Sequence, residues 1–225
     1  MFFAVIAYLH FLAEPQSNPF KRLNRDISTE YQNYIITPII IIVIIGLGIF
    51  VNYRPIMANT TLIKAMAFVQ YGQIQNGINS FNQALSYHSF GDPEIREQLM
   101  VYASKVASSA KIDLDLKKAI VSLAGTELKK QAALSPLEAR YPLMTANFLS
   151  MFGDPGGALP YAEQAVALSP TKQASKFVLL RVYLLLNRQT EALALAKETY
   201  ESAPDYDYAK KIYDSLLSPK TKVKN

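Results

Sequence analysis

The sequence has no cysteine, only two histidines, and charged residues make up just 18% of its 225 positions. Without cysteine there is no disulfide framework, no thiolate metal site and no cysteine nucleophile. His10 sits in an apolar stretch and His88 at the end of a helical pattern, and neither belongs to an HExxH motif. GxSxG and phosphate-cradling glycine loops are also missing, so the hydrolase, metalloprotease and nucleotide motifs have no carrier. No cofactor, metal or catalytic residue is therefore expected. A hydrophobic share of 50% with nine glycines and twelve prolines excludes a disordered or collagen-like chain. The length allows one or two domains with a real core.

What is present is unevenly distributed. Residues Tyr31 to Tyr53 carry no charge and hold the run IITPIIIIVIIGLGIFV from Ile35 to Val51. About 20 apolar residues at 1.5 Å each match the roughly 30 Å hydrocarbon core of a bilayer. Tyr34 and Tyr53 at its ends suit the interfacial belts. A transmembrane helix is expected over 34–53, with Pro38 in its first turn, where it costs little. A buried core helix is the alternative, and a strand is excluded by length.

Met1 to Ala13 (MFFAVIAYLHFLA) is apolar but too short to span, and it has neither the positive start nor the small-residue cleavage site of a secretory signal. It is expected to be a partial membrane helix, 1–13, the end of a longer span in a larger polytopic protein. The polar loop, 14–33, carries Lys21, Arg22 and Arg25, against Arg54 and Lys64 in the twenty residues after the span. The positive-inside rule then places the loop in the cytoplasm and the rest of the chain outside it.

From residue 54 the composition is that of a helical domain, and it repeats. ALSP occurs at Ala133–Pro136 and Ala167–Pro170, and Pro136, Pro170 and Pro204 succeed one another at intervals of 34 residues. That is the period of tetratricopeptide (TPR) repeats. Ala146, Leu149, Gly153, Ala158, Ala162 and Ala165 precede Pro170 in the TPR pattern. Leu180, Tyr183, Asn187, Ala192, Ala196 and Pro204 follow it in the next unit, and Ala65, Phe68, Gly72, Gly77, Phe81 and Ala84 match it just after the span. The pattern has a physical basis: two antiparallel helices joined tightly need small residues where their backbones approach, and proline ends a helix it cannot continue. Each pair leaves an apolar face exposed, so neighbours must stack.

The expected fold is all-α: an N-terminal transmembrane segment followed by a TPR-like α-solenoid over 54–217. Its units are 58–91, a divergent pair 93–136, 139–172, 173–206 and a capping helix 207–217, with a disordered basic tail 218–225. Asp113-Leu114-Asp115 spells the DxD of some metal-dependent glycosyltransferases, but here Asp113 is expected to cap a helix and both carboxylates to favour its N-terminal dipole.

The order of these segments, with AYLH closing the first apolar stretch, then NYRPIMANTTLIKAM (Asn52–Met66) and GDPEIREQL (Gly91–Leu99), resembles the C-terminal part of bacterial O-antigen ligase and polymerase-like membrane proteins that end in TPR units. The resemblance implies the cytoplasmic membrane of a bacterium, an extracytoplasmic repeat domain, and a role in cell-surface polysaccharide assembly through lipid-linked saccharides. That family's catalytic apparatus lies in earlier spans and a large external loop, so no catalytic residue is carried over. Enzyme activity would belong to a longer parent.

TPR arrays bind protein partners in a concave groove lined by the first helix of each pair. By resemblance the groove-facing positions are Arg140, Asn147 and Ser150, then Phe177, Arg181 and Leu184, then Tyr208 and Lys211. Arg140, Arg181 and Lys211 would form a basic ladder for the carboxylates of a peptide terminus or an anionic glycan, since arginine binds planar anions through paired hydrogen bonds. The alternative is a solvated basic face. Nucleic acid is not expected: the net charge of +5 is spread as twenty basic against fifteen acidic residues after residue 53, without a recognition motif. Two functional classes follow: the non-catalytic end of a saccharide-transferring membrane protein, and a self-standing membrane-anchored TPR adaptor. Neighbouring genes for polysaccharide export would favour the first.

Overall fold

The computed structural model describes residues 32–217. The expected partial helix 1–13, the polar loop as far as residue 31 and the tail 218–225 lie outside the described residues. Contacts divide the chain after Tyr53 into two units.

In the first unit, a single π-helical turn, Gln32–Ile36, leads into α1, Thr37–Gln70. Pro38 is its second residue, directly after the π-helical turn. The helix Tyr34–Gln70 is long and apolar enough to cross a membrane, and none of its most apolar stretch is buried. The expected span is thus the start of a longer element, since α1 continues through Pro55.

Beyond Pro55 the same helix changes character. Ala58, Leu62, Ala65 and Val69 are buried, while Ile56 and Ile63 are exposed. That one-sided spacing marks a helix packed on a core. It belongs to the second unit, built from α1 after Arg54 and from α2 (Ile74–Ser86), α3 (Asp92–Ser108), α4 (Leu114–Leu134), α5 (Arg140–Met151), α6 (Pro155–Leu168), α7 (Gln173–Leu185), α8 (Gln189–Ser202) and α9 (Asp207–Leu217).

The helices form successive hairpins, and the turns of three of them share one geometry. Gly72, Gly153 and Asn187 have φ of +78°, +85° and +58°. At each, the next residue's N–H bonds back to a carbonyl in the last helical turn: Gln73 to Phe68 at 2.8 Å, Asp154 to Leu149 at 2.9 Å and Arg188 to Tyr183 at 2.9 Å. This closing bond satisfies a carbonyl the helix end would otherwise leave bare, and the left-handed residue it needs is most easily glycine or asparagine. Behind the turns, the small residues meet their partners. Ala158, Ala162 and Ala165 in α6, Ala192 and Ala196 in α8, and Ala84 in α2 are all buried. At Gly77 a Cβ would collide with Val69 and lie 3.4 Å from the Ala65 carbonyl oxygen, so only glycine allows α1 and α2 this approach.

The helices α3 and α4 are longer, with 17 residues in α3 and 21 in α4. Asp113 caps α4, its carboxylate accepting from the N–H of Asp115 at 2.8 Å and of Leu116 at 3.4 Å. Between the two helices, buried Arg96 donates to Glu127 at 3.1 Å and to Gln131 at 2.6 Å. Ion pairs so placed are tolerated because each partner is satisfied. Phe148 on α5 completes the core of the first four helices, and its neighbour Leu149 belongs to the core shared with α6 and α7.

Candidate functional site

The residues expected to line a groove all fall on α5, α7 and α9, the first helices of their pairs. Their partners are one another's neighbours. The guanidinium of Arg181 on α7 reaches α5, where its Nη2 donates to Asn147 Oδ1 at 2.6 Å and to Ser150 Oγ at 2.9 Å. Asn147 and Arg181 are 34 residues apart, so equivalent positions of successive repeats are bonded directly. Phe177 on α7 meets Tyr208 on α9 edge-on, with ring centroids 5.0 Å apart, and Tyr206 stands 6.1 Å from both.

The cations do not form a free ladder. Arg140 pairs with Glu97 on α3, and its guanidinium also lies 5.9 Å from the Tyr141 ring centroid. Both Nη2 hydrogens of Arg181 are directed at Asn147 and Ser150, so the fork has no two parallel donors left for a planar anion. Lys211 is exposed on α9. The pull of Arg140 does not dominate Glu97: burial pushes its carboxyl above the usual carboxylate range, and Arg140 only partly offsets this.

Apolar and aromatic side chains are open to solvent beside these charges. Tyr208, Leu184, Leu185 and Met151 on the first helices and Tyr206 just before α9 are exposed, and Phe177 is half-buried between the tyrosines. Phe177, Arg181 and Leu184 follow at helical spacing and share one face of α7.

Sequence reasoning placed Arg140, Asn147, Ser150, Phe177, Arg181, Leu184, Tyr208 and Lys211 on first helices, and it missed Glu97 and Tyr206. Tyr206 was within reach, because it alternates with acids in Asp205-Tyr206-Asp207-Tyr208. Glu97 was not. It lies 43 residues before Arg140, and the divergent pair breaks the 34-residue register on which such pairing could be read.

Hairpins with one turn geometry, buried small residues at equivalent positions and bonded first helices define a TPR-like helical repeat domain. No family model and no curated protein matches the sequence. Among solved structures the chain is similar to TTC0263, a thermophilic TPR protein of Thermus thermophilus, at 21% identity over 74% of this chain and 84% of that one, with a TM-score of 0.49. It is also similar to a MamA protein, MSR-1 C2, at 14% identity over 72% and 85% of the two chains with a TM-score of 0.49. A further MamA structure has 16% identity over 72% and 86%, with a TM-score of 0.47. The repeat assignment rests on the turns and buried positions of this chain rather than on these likenesses.

Proposed function

We propose that the repeat domain is a non-catalytic scaffold that holds a protein partner against its first helices, and that the apolar half of α1 anchors it in a bilayer. The observation that carries the groove is the exposed apolar surface on α7 and α9, with Phe177, Tyr208 and Leu184 at its centre. Aromatic and leucine side chains left open beside satisfied polar groups are the usual composition of a protein-binding patch. The anchor is supported by the isoleucine side chains of α1, exposed all round in a helix of spanning length. In water that surface would cost about 25 cal/mol per Å2.

Within this reading the membrane is the bacterial cytoplasmic membrane and the repeat domain faces away from the cytoplasm, as the loop cations and the likeness to O-antigen ligase-like proteins favour. The domain would then serve polysaccharide assembly as the non-catalytic C-terminal portion of such a protein. Any lipid-linked saccharide would be handled by a longer parent.

A benzophenone side chain installed at Leu184, in the groove, tests the scaffold reading against the same group at Lys197 on α8. The expected result is a discrete protein adduct from position 184, abolished by Tyr208→Ala, and none from position 197. Equal adducts from both positions, or adducts indifferent to Tyr208→Ala, would remove the groove as the binding face.

A further inference from the structure

The turns that connect one hairpin to the next carry side chains that neither the core nor the groove uses. Leu137 in the α4–α5 turn is 87% exposed, Phe90 in the α2–α3 turn 79% and Leu134 at the end of α4 69%. Among the described residues of the second unit no large apolar side chain other than a tyrosine is as open as these. Turns bathed by water are usually built from glycine, proline, asparagine, aspartate and serine. Apolar tips on neighbouring turns therefore mark a surface that meets something less polar than water.

A continuous set of contacts holds these turns at the Arg54 end of the second unit. A Cβ at Gly91 would lie 3.4 Å from Asn59 Oδ1, which puts the α2–α3 turn beside the start of this unit's share of α1. Arg96 reaches Asp92 at 3.9 Å and Gln131 at 2.6 Å, and Gln131 donates to Ser135 Oγ at 3.1 Å, which brings the α4–α5 turn alongside. Ile56, two residues after Arg54, is exposed at the same end. The next connection of this kind, between α6 and α7, exposes Pro170, Thr171 and Lys172 and no large apolar side chain. The apolar tips are thus confined to the connections nearest Arg54 in the chain. At the far ends of the hairpins Gly72, Lys111, Asp113, Gly153 and Asn187 prevail, with Tyr71 and Leu114 as exposed exceptions.

Charge does not select the occupant. Around this edge Arg54, Lys130, Arg140 and Lys172 are matched by Glu94, Glu97, Glu127 and Glu138, with Lys130 paired to Glu127 and Arg140 to Glu97. No excess is left for a polyanion or a polycation. What distinguishes the edge is its attachment: Arg54 follows Tyr53 by one peptide bond, and Tyr53 closes the uncharged apolar run. In an anchored chain the Arg54 end of the second unit therefore begins at the bilayer surface, whatever the angle between the two units.

We propose that this edge lies on the bilayer, with Phe90, Leu134 and Leu137 inserted at the boundary between lipid headgroups and acyl chains. This rests on α1 being a membrane anchor. Single apolar side chains on separate turns suit a fluid surface that closes around each one, whereas a folded partner needs one shaped and continuous patch. With the local charges balanced, the contact does not depend on anionic lipid.

The test uses the full chain reconstituted in phosphatidylcholine vesicles, with a single introduced cysteine carrying an environment-sensitive fluorophore. Glu138→Cys reports the edge, Lys111→Cys the opposite turns and Ile44→Cys the apolar half of α1; all three positions are exposed. The expected result is quenching at positions 138 and 44 by a nitroxide on the lipid acyl chain, with position 111 quenched only by aqueous iodide. Phe90→Ser, Leu134→Ser and Leu137→Ser combined, all at exposed sites, should abolish lipid quenching at 138 and leave it intact at 44. If position 44 is quenched by lipid while 138 stays open to iodide, the edge does not touch the bilayer and the anchor reading stands without it. If position 44 is not quenched by lipid, both fall. Lipid quenching at 138 that survives the triple serine variant, or that appears only when phosphatidylglycerol is added, would overturn the proposal. Shielding of position 138 from both quenchers would make a second copy the occupant and overturn it equally.

Discussion

Arg181 shows how a residue suited to ligand binding can be used inside the fold. Its bonds to Asn147 and Ser150 link successive repeats, and a net hydrogen-bond contribution of about 1 kcal/mol follows. Arg181→Ala should lower the urea midpoint accordingly, and Arg181→Lys should not restore it, because an ammonium does not reproduce the planar reach of the guanidinium. Truncating buried Arg96 to alanine should cost more, about 3 kcal/mol, because it leaves buried Gln131 without its donor and buried Glu127 with only the exposed Lys130 as a partner. Glu97 carries a signed pH effect. With its folded pKa raised above the unfolded value by burial, its contribution is fully present below the unfolded value and is lost as pH rises through the folded one. Glu97→Gln should therefore leave stability at neutral pH unchanged or slightly higher, and it should flatten the decline in stability just above the ordinary glutamate range. A marked loss of stability in that variant would show that the Arg140 pair outweighs burial after all.

Helix pairs are the scale at which the sequence was most readable. The turn residues Gly153 and Asn187, the small residues Ala158, Ala162, Ala192 and Ala196, and the closing prolines Pro170 and Pro204 all recur at one interval, because each answers the same local demand of a tight hairpin. The left-handed positions make the demand measurable. Gly153→Ala should destabilise by about 1 kcal/mol through Cβ strain, whereas Asn187→Gly should be neutral or mildly stabilising. Calorimetric midpoints of the two variants should move in opposite senses, or only the first should move. Ala162→Leu, at a fully buried contact, should cost about 1–3 kcal/mol by overpacking. The divergent pair α3–α4 was readable as two helices but not in register, since it has no left-handed turn residue and its helices are longer. That is why the Glu97–Arg140 contact had no sequence signal of its own. The ladder of cations failed for a different reason: spacing shows which face a side chain occupies but not whether a neighbouring helix already satisfies it.

Across the whole molecule, contacts divide the chain after Tyr53, where the sequence passes from apolar span to repeat composition. The apolar span and the first repeat helix read as two segments, yet α1 runs unbroken from Thr37 to Gln70, with the change from uniform to one-sided hydrophobicity near Pro55. Composition revealed the two environments, whereas only backbone continuity could join them in one helix. The proposal that the repeat domain is membrane-anchored and faces outward is tested most directly by cysteine accessibility, for which a chain without native cysteine needs no background removed. Asn187→Cys and Ser17→Cys would be placed separately in the full chain, and spheroplasts treated with a membrane-impermeant maleimide. Labelling at position 187 in intact spheroplasts, with position 17 reacting only after permeabilisation, is the predicted result. Labelling of both positions without permeabilisation, or of position 17 alone, would contradict it.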